Sequence, residues 1–334
     1  MTRTAGKSRK PFIFLLPLSI ILTAAGIWLW EAYSETSYLR ASEPVADGAL
    51  SGQANPHTGL SVPTCITKIE DTYFIVDCYH DQILYSDSLS APIRDWRVMT
   101  DQLSRGHTLA GDGVVYLADD TENHSILVFE KEGGGFRLTQ SFPEIGVRPH
   151  FVVYDEKTEL FYALSSMTGE IFVFDRLKDS SRVVLRDVRR IEKLSGVYVR
   201  SFTILEDEIY FVSGNSSIIR ARLSDLQILE EYPVGPEIAG MVQLARIGDY
   251  FYITVSTDAA GSQEYATILR TRDLHGLAEG GYEDVYSTFI GGGTPYYTGS
   301  FDGHYYLTEH RLPGHSIWQF DISENQIENV KLLY

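Results

Sequence analysis

Two histidines sit in closely matching settings, Arg105-Gly106-His107 and Arg148-Pro149-His150. An imidazole at such a position can accept a proton or ligate a metal near neutral pH. A second set offers oxygen. Asp77, Asp119 and Glu309 each close an apolar-aromatic run: Tyr73-Phe74-Ile75-Val76-Asp77, Val115-Tyr116-Leu117-Ala118-Asp119 and Tyr305-Tyr306-Leu307-Thr308-Glu309. Asn123 and His310 follow two of these runs, and the neighbouring Tyr296 and Tyr297 could stack against a sugar. Imidazoles suit Zn²⁺, and carboxylates with an amide suit Ca²⁺. Each feature also has a structural reading. A carboxylate at a strand end commonly caps the next turn by accepting backbone N–H groups, and a buried imidazole can donate to a carbonyl.

Which reading holds depends on the elements that place these residues. The same unit returns six times: an apolar-aromatic run, a polar loop, then an Ile-led apolar run. Anchored on Phe74, Tyr116, Tyr162, Tyr210, Tyr252 and Tyr306, it recurs at intervals of 42 to 54 residues. That period belongs to four-stranded blades and predicts an all-β, six-bladed β-propeller of antiparallel sheets. In such a blade, the loop entering the inner strand and the loop joining the second and third strands lie on one face. His107 and His150 fall in entry loops, and His80, His124, His310 and His315 fall in second-to-third loops. Six of the nine histidines are therefore expected on one rim, with His107 and His150 facing the channel.

The triplets Val62-Pro63-Thr64, Arg105-Gly106-His107 and Arg148-Pro149-His150 open three units. In blade two, Tyr116, Ala118, Asp119, Asn123 and the run Ile126-Leu127-Val128-Phe129 add further signature letters. Together they resemble the NHL-repeat family of six-bladed propellers, most clearly in blades one to three. The family includes enzymes, binding scaffolds and interaction modules, so it implies a fold more than a function. Its peptidylamidoglycolate lyases bind zinc through Pro-His residues at inner-strand starts. That resemblance makes His107 and His150 candidate zinc ligands, but the matching positions elsewhere are Thr64, Ser201, Val242 and Tyr296. Lactonase-like propellers ring the channel with Ca²⁺ ligands, for which Asp77, Asp119, Asn123 and Glu309 are the candidates.

The chain carries 28 Lys and Arg against 45 Asp and Glu, a net charge of −17. A body so acidic repels a phosphate backbone, so no nucleic-acid partner is expected. Residues 11–30 form an uncharged apolar stretch, long enough to cross a bilayer. Arg3, Lys7, Arg9 and Lys10 precede it and Glu31 and Glu35 follow, which leaves residues 1–10 in the cytoplasm. A cleaved signal peptide is the alternative; both put the body outside the cytoplasm, extracellular or periplasmic. Residues 31–60 read as a flexible tether and 61–334 as the propeller. A two-residue turn at 71–72 would set Cys65 opposite Cys78 and permit a disulfide. In the long entry to blade four, Arg186, Arg189, Arg190, Lys193 and Arg200 form a basic cluster that either meets an anion or pairs with nearby acids. The expected function is a membrane-anchored binding or scaffold module for a protein, peptide or glycan. The alternative is a Ca- or Zn-dependent lactonase-like hydrolase or a lyase using the channel.

Overall fold

The computed structural model describes residues 40–334 apart from 46, 47, 49, 215, 291 and 311–316. The apolar stretch 11–30 and the start of the tether lie outside the described residues. Among the described residues, no helix is long and apolar enough to cross a membrane.

Six antiparallel sheets are built from four consecutive strands each, as the repeat requires. Blade one comprises Pro63–Ile69, Thr72–Asp77, Gln82–Ser86 and Arg97–Thr100, and blade six comprises Thr294–Phe301, His304–His310, Ile317–Ser323 and Gln326–Leu332. Blade five is the least regular. Its outer strand is only Glu283–Asp284, flanked by 3-10 turns at Leu274–Glu279 and Tyr286–Phe289. The β-branched and aromatic content of the inner and middle strands suits sheets covered on both faces.

Buried clusters fill each junction between blades. Phe74, Tyr116 and Phe136 join blades one and two, with ring centroids 5.0 to 5.6 Å apart. Ile66, Trp96, Tyr306 and Ile317 join blade six back to blade one. The ring closes through side chains, since neither terminal blade borrows a strand from the other. The Trp96 indole N–H donates to the Tyr334 hydroxyl at 3.2 Å, and that hydroxyl donates to the Leu89 and Ala91 carbonyls. Lys68 and Tyr73 meet Asp302 at 2.7 and 2.8 Å. Tyr334→Ala should cost about 2 kcal/mol or more in a denaturant titration, because it removes packing against Trp96 and the hydroxyl that ties the indole to the Leu89 carbonyl, although the indole N–H keeps the Ala91 carbonyl at 3.1 Å. A smaller loss would show that closure rests elsewhere.

Two expectations are corrected. The tether does not extend to residue 60, because residues from Arg40 onward belong to the propeller body. Arg40–Ala41 pairs with the outer strand of blade three and Glu43–Pro44 with that of blade two. Leu50 then bridges Arg137 of blade two, and Ala54 bridges Arg97 of blade one. Composition alone misled here, since polar, small residues can still pair through their backbone. Gly135 allows the close approach: a Cβ there would lie 2.2 Å from the Ser51 carbonyl oxygen.

The expected disulfide is also absent: Cys65 and Cys78 are both buried free thiols. The hairpin turns at Glu70-Asp71, one residue earlier than expected, with Glu70 in the left-handed region at φ 51°. Ile69 therefore faces Thr72 and Cys65 faces Val76. Cys78 lies beyond the strand, its N–H bonded to the Val62 carbonyl. Burial pushes both thiols up to about 12. They should resist a thiol reagent in the native state and titrate as two on unfolding; fewer than two would restore the bridge.

Candidate functional site

The inner strands carry a repeated irregularity near their starts. Pairing with the second strand slips between Pro63 and Cys65, Pro149 and Phe151, Val199 and Ser201, Met241 and Gln243, and Pro295 and Thr298. A β-bulge leaves the extra residue unpaired and re-aims its side chain. The bulged residues Thr64, His150, Arg200 and Tyr296, together with His107 and His310, line one cavity of about 400 Å³. Ser256 and Thr257, at the end of the blade-five strand Tyr250–Thr257, and Gln263 of the loop that follows also border it. The blade-four position expected to be Ser201 is therefore Arg200. Ser201 instead donates to the Val242 carbonyl at 2.6 Å, tying blade four to blade five.

His107 and His150 stack with ring centroids 3.8 Å apart. His150 is buried; its Nδ1 lies 2.8 Å from the Arg200 carbonyl oxygen and its Nε2 lies 3.1 Å from the Tyr198 hydroxyl. A carbonyl only accepts, so Nδ1 carries the proton and Nε2 accepts from Tyr198. The Tyr296 hydroxyl lies 3.0 Å from His107 Nδ1 and 3.4 Å from His150 Nε2. Burial holds His107 well below the usual histidine range, and the neighbouring His150 ring and the Arg148, Arg200 and Arg105 guanidiniums reinforce this. Burial and the Arg200 charge bring His150 down to about 3. Both rings are neutral at physiological pH.

Tyr297 was expected at the rim and is found deeper. Its ring packs against Phe151 of the opposite blade, centroids 6.2 Å apart, and against the cluster holding Cys65. Tyr297 and Phe151 thus meet on the axis below the mouth.

The oxygen candidates remain in their own blades. Asp77 is fully buried and accepts from the Ser61 and Val62 N–H groups at 2.9 and 3.0 Å, with His80 Nδ1 at 2.6 Å. Asp119, also fully buried, accepts from the His107 and Thr108 N–H groups at 2.8 and 2.7 Å. The Thr108 and Thr121 hydroxyls add two more donors. Burial, against these four donors, raises its carboxyl to about 6. Buried Glu309 accepts from the Tyr286 hydroxyl at 2.7 Å, and exposed Asn123 donates to Asp120 at 2.9 Å. The strand-end carboxylates of blades one and two therefore hold the entry loops in place.

These residues do not fit a divalent cation. Among the described residues, no three His, Cys, Asp or Glu side chains gather as a ligand set. Both nitrogens of His150 already have partners, and Arg105, Arg148 and Arg200 line the same cavity. Positive charge beside the imidazoles opposes a second cation.

The sequence groups Arg200 with Arg186, Arg189, Arg190 and Lys193 as one basic cluster in the entry to blade four. Arg186, Arg189 and Arg190 of that cluster pair with Asp175, Asp187 and Glu192 at 3.0, 2.7 and 3.2 Å, and Lys193 pairs with Glu231. Arg200 stands apart from them at the mouth. The signal that would have separated it was its distance from the end of the second strand, which fixes the bulge.

A ring of six blades with a cavity at one end of its axis defines a six-bladed β-propeller. No protein-family model matches the chain, and no curated protein sequence does. Solved structures do. A protein from Bacteroides uniformis provisionally described as a 6-phosphogluconolactonase shares 13% identity at TM-score 0.58, covering 84% of this chain and 88% of that one. A streptogramin B lyase shares 15% at TM-score 0.55, covering 84% and 86%. A catalytically inactive virginiamycin B lyase from Staphylococcus aureus with quinupristin shares 17% at TM-score 0.52, covering 76% and 79%. At these identities the likeness is one of fold.

Proposed function

We propose that the protein is a membrane-anchored recognition module that presents the mouth cavity outside the cytoplasm. Its ligand is a small molecule or the terminal group of a protein, peptide or glycan chain. The carrying observation is convergence: bulges in blades one, three, four and six, with His107 of blade two, turn polar side chains into one cavity above the Tyr297–Phe151 contact. Concave sites with a few placed polar groups are where small ligands bind. The anchor rests on the uncharged stretch 11–30 and its basic flank, and kinship with NHL-repeat propellers rests on the blade signatures.

A second reading, a lyase or hydrolase, is favoured by one observation. His150 Nε2 is an unprotonated base in contact with two phenols, Tyr198 and Tyr296. Such a group can take a proton from a substrate bound against it. The solved neighbours named as lyases share the fold and lend this reading weight.

The test is a calorimetric screen of the full-length chain against peptides and glycans, repeated with His107→Ala and Tyr296→Ala. A ligand whose binding both substitutions abolish is the expected result. A ligand bound equally by both variants would place recognition elsewhere. Turnover of a bound ligand, lost in His150→Gln, would move the assignment to the enzyme.

A further inference from the structure

We propose that the mouth cavity recognises an oxyanion, a carboxylate or phosphate group on its ligand, through the guanidinium groups of Arg105 and Arg200. This rests on the mouth being the binding site. Three arginines line the cavity. Arg148 is neutralised by Glu122, which also lines it, at 2.6 Å. The other two have no carboxylate partner among the described residues. Arg105 lies over the Tyr79 ring at 4.3 Å, and its Nη1 is buried with no hydrogen-bond acceptor. Arg200 lies over the Tyr198 ring at 5.5 Å and donates from Nη1 to the Ser256 hydroxyl.

This pairing pattern runs against the composition. The chain has a large excess of carboxylates. Arg137, Arg176, Arg186, Arg189, Arg220 and Arg270 all take carboxylate partners. Leaving two guanidiniums without an anion in one cavity, one of them with a buried N–H unmet, costs free energy that an arriving oxyanion returns. Guanidiniums form charge-assisted, bidentate bonds with carboxylate and phosphate.

Two further features suit an anion. His107 lines the cavity as an imidazole that can offer an N–H, and no aspartate lines the cavity among the described residues. Arg105 is also held in place: its N–H donates to Asp81 at 2.9 Å, and the Arg148 N–H donates to His124 Nδ1 at 3.1 Å in the next blade. Each entry loop is thus pinned by the preceding blade, so the guanidinium starts from a fixed backbone.

The experiment titrates the full-length chain with inorganic phosphate and, separately, with glucuronate, over a sodium chloride background. Saturable binding of at least one is expected, and which arm responds distinguishes phosphate from carboxylate. R105Q or R200Q should weaken it roughly tenfold or more, and added salt should weaken it further. Arg200→Lys, which keeps the charge without the fork, should fall between the two and guards against a folding defect; each variant's unfolding midpoint is read alongside. No saturable binding of either anion, or equal binding by the R105Q/R200Q double variant, overturns the proposal. A neutral ligand that binds normally to the double variant but not to His107→Ala would overturn the oxyanion and leave the mouth as the binding site.

Discussion

The propeller should lose stability as the pH falls from neutrality toward about 4, and substituting His107 and His150 should flatten that slope. In the unfolded chain both imidazoles protonate near their ordinary value of about 6.5. In the fold, His107 is held well below it and His150 at about 3. Below the ordinary value the unfolded chain therefore binds protons that the native state refuses. Each group removes about 1.4 kcal/mol per pH unit until the native ring protonates. Asp119 acts in the opposite sense. Its folded value, about 6, is above the ordinary carboxyl value of 3.8, so between these limits the native state takes the proton first and gains stability as the pH falls. The histidines should dominate down to about pH 6, with roughly one proton's worth of net slope below it. Denaturant midpoints across pH, for the wild type and for His107→Gln/His150→Gln, check this. An identical slope in both proteins would mean that the rings titrate normally in the fold.

Asp119→Ala should be the most damaging single change near the mouth, at about 3 kcal/mol or more. The substitution leaves two backbone N–H groups and the Thr108 hydroxyl without their acceptor in a fully buried site, while the Thr121 hydroxyl keeps the Pro149 carbonyl at 2.8 Å. One of those N–H groups belongs to His107, so the ring should also lose its place against His150 and Tyr296. Asp119→Asn keeps one acceptor oxygen and should cost less. Chemical denaturation gives the stability, and histidine NMR resonances report the ring positions. An alanine variant within about 1 kcal/mol of wild type, with unmoved resonances, would show that the loop holds itself.

The ring was legible because its signal is redundant: six aromatic anchors at a blade-length spacing, each heading a strand pair with the same apolar rhythm. The rim was legible in part: loop placement follows from strand order, but His80 and His124 turn to Asp77 and to the Arg148 N–H, and His315 lies outside the described residues. His107, His150 and His310 meet at one cavity as that order requires. What failed depended on single-residue register. The hairpin turns at Glu70-Asp71 rather than one residue later, and this alone separates Cys65 from Cys78. A bulge at Arg200 rather than Ser201 decides which side chain reaches the mouth. Periodicity of two cannot report such a shift, because an inserted residue leaves the apolar pattern on either side intact. Tyr297 was missed for a related reason: blade six skips two residues before pairing resumes at Thr298, which sends one tyrosine to the mouth and the next to the axis. Residues 40–60 escaped because their docking uses main-chain groups on outer strands, to which composition is blind.

That docked segment meets the blades in reverse order. Ala54 touches blade one, Leu50 and Glu43–Pro44 touch blade two, and Arg40–Ala41 touches blade three. On the ribosome, blade one is complete before blade two, and blade two before blade three. The leading segment can therefore zip backwards, from Ala54 toward Arg40, gaining one partner as each new sheet emerges. It shields successive nascent edges that would otherwise invite pairing with another polypeptide.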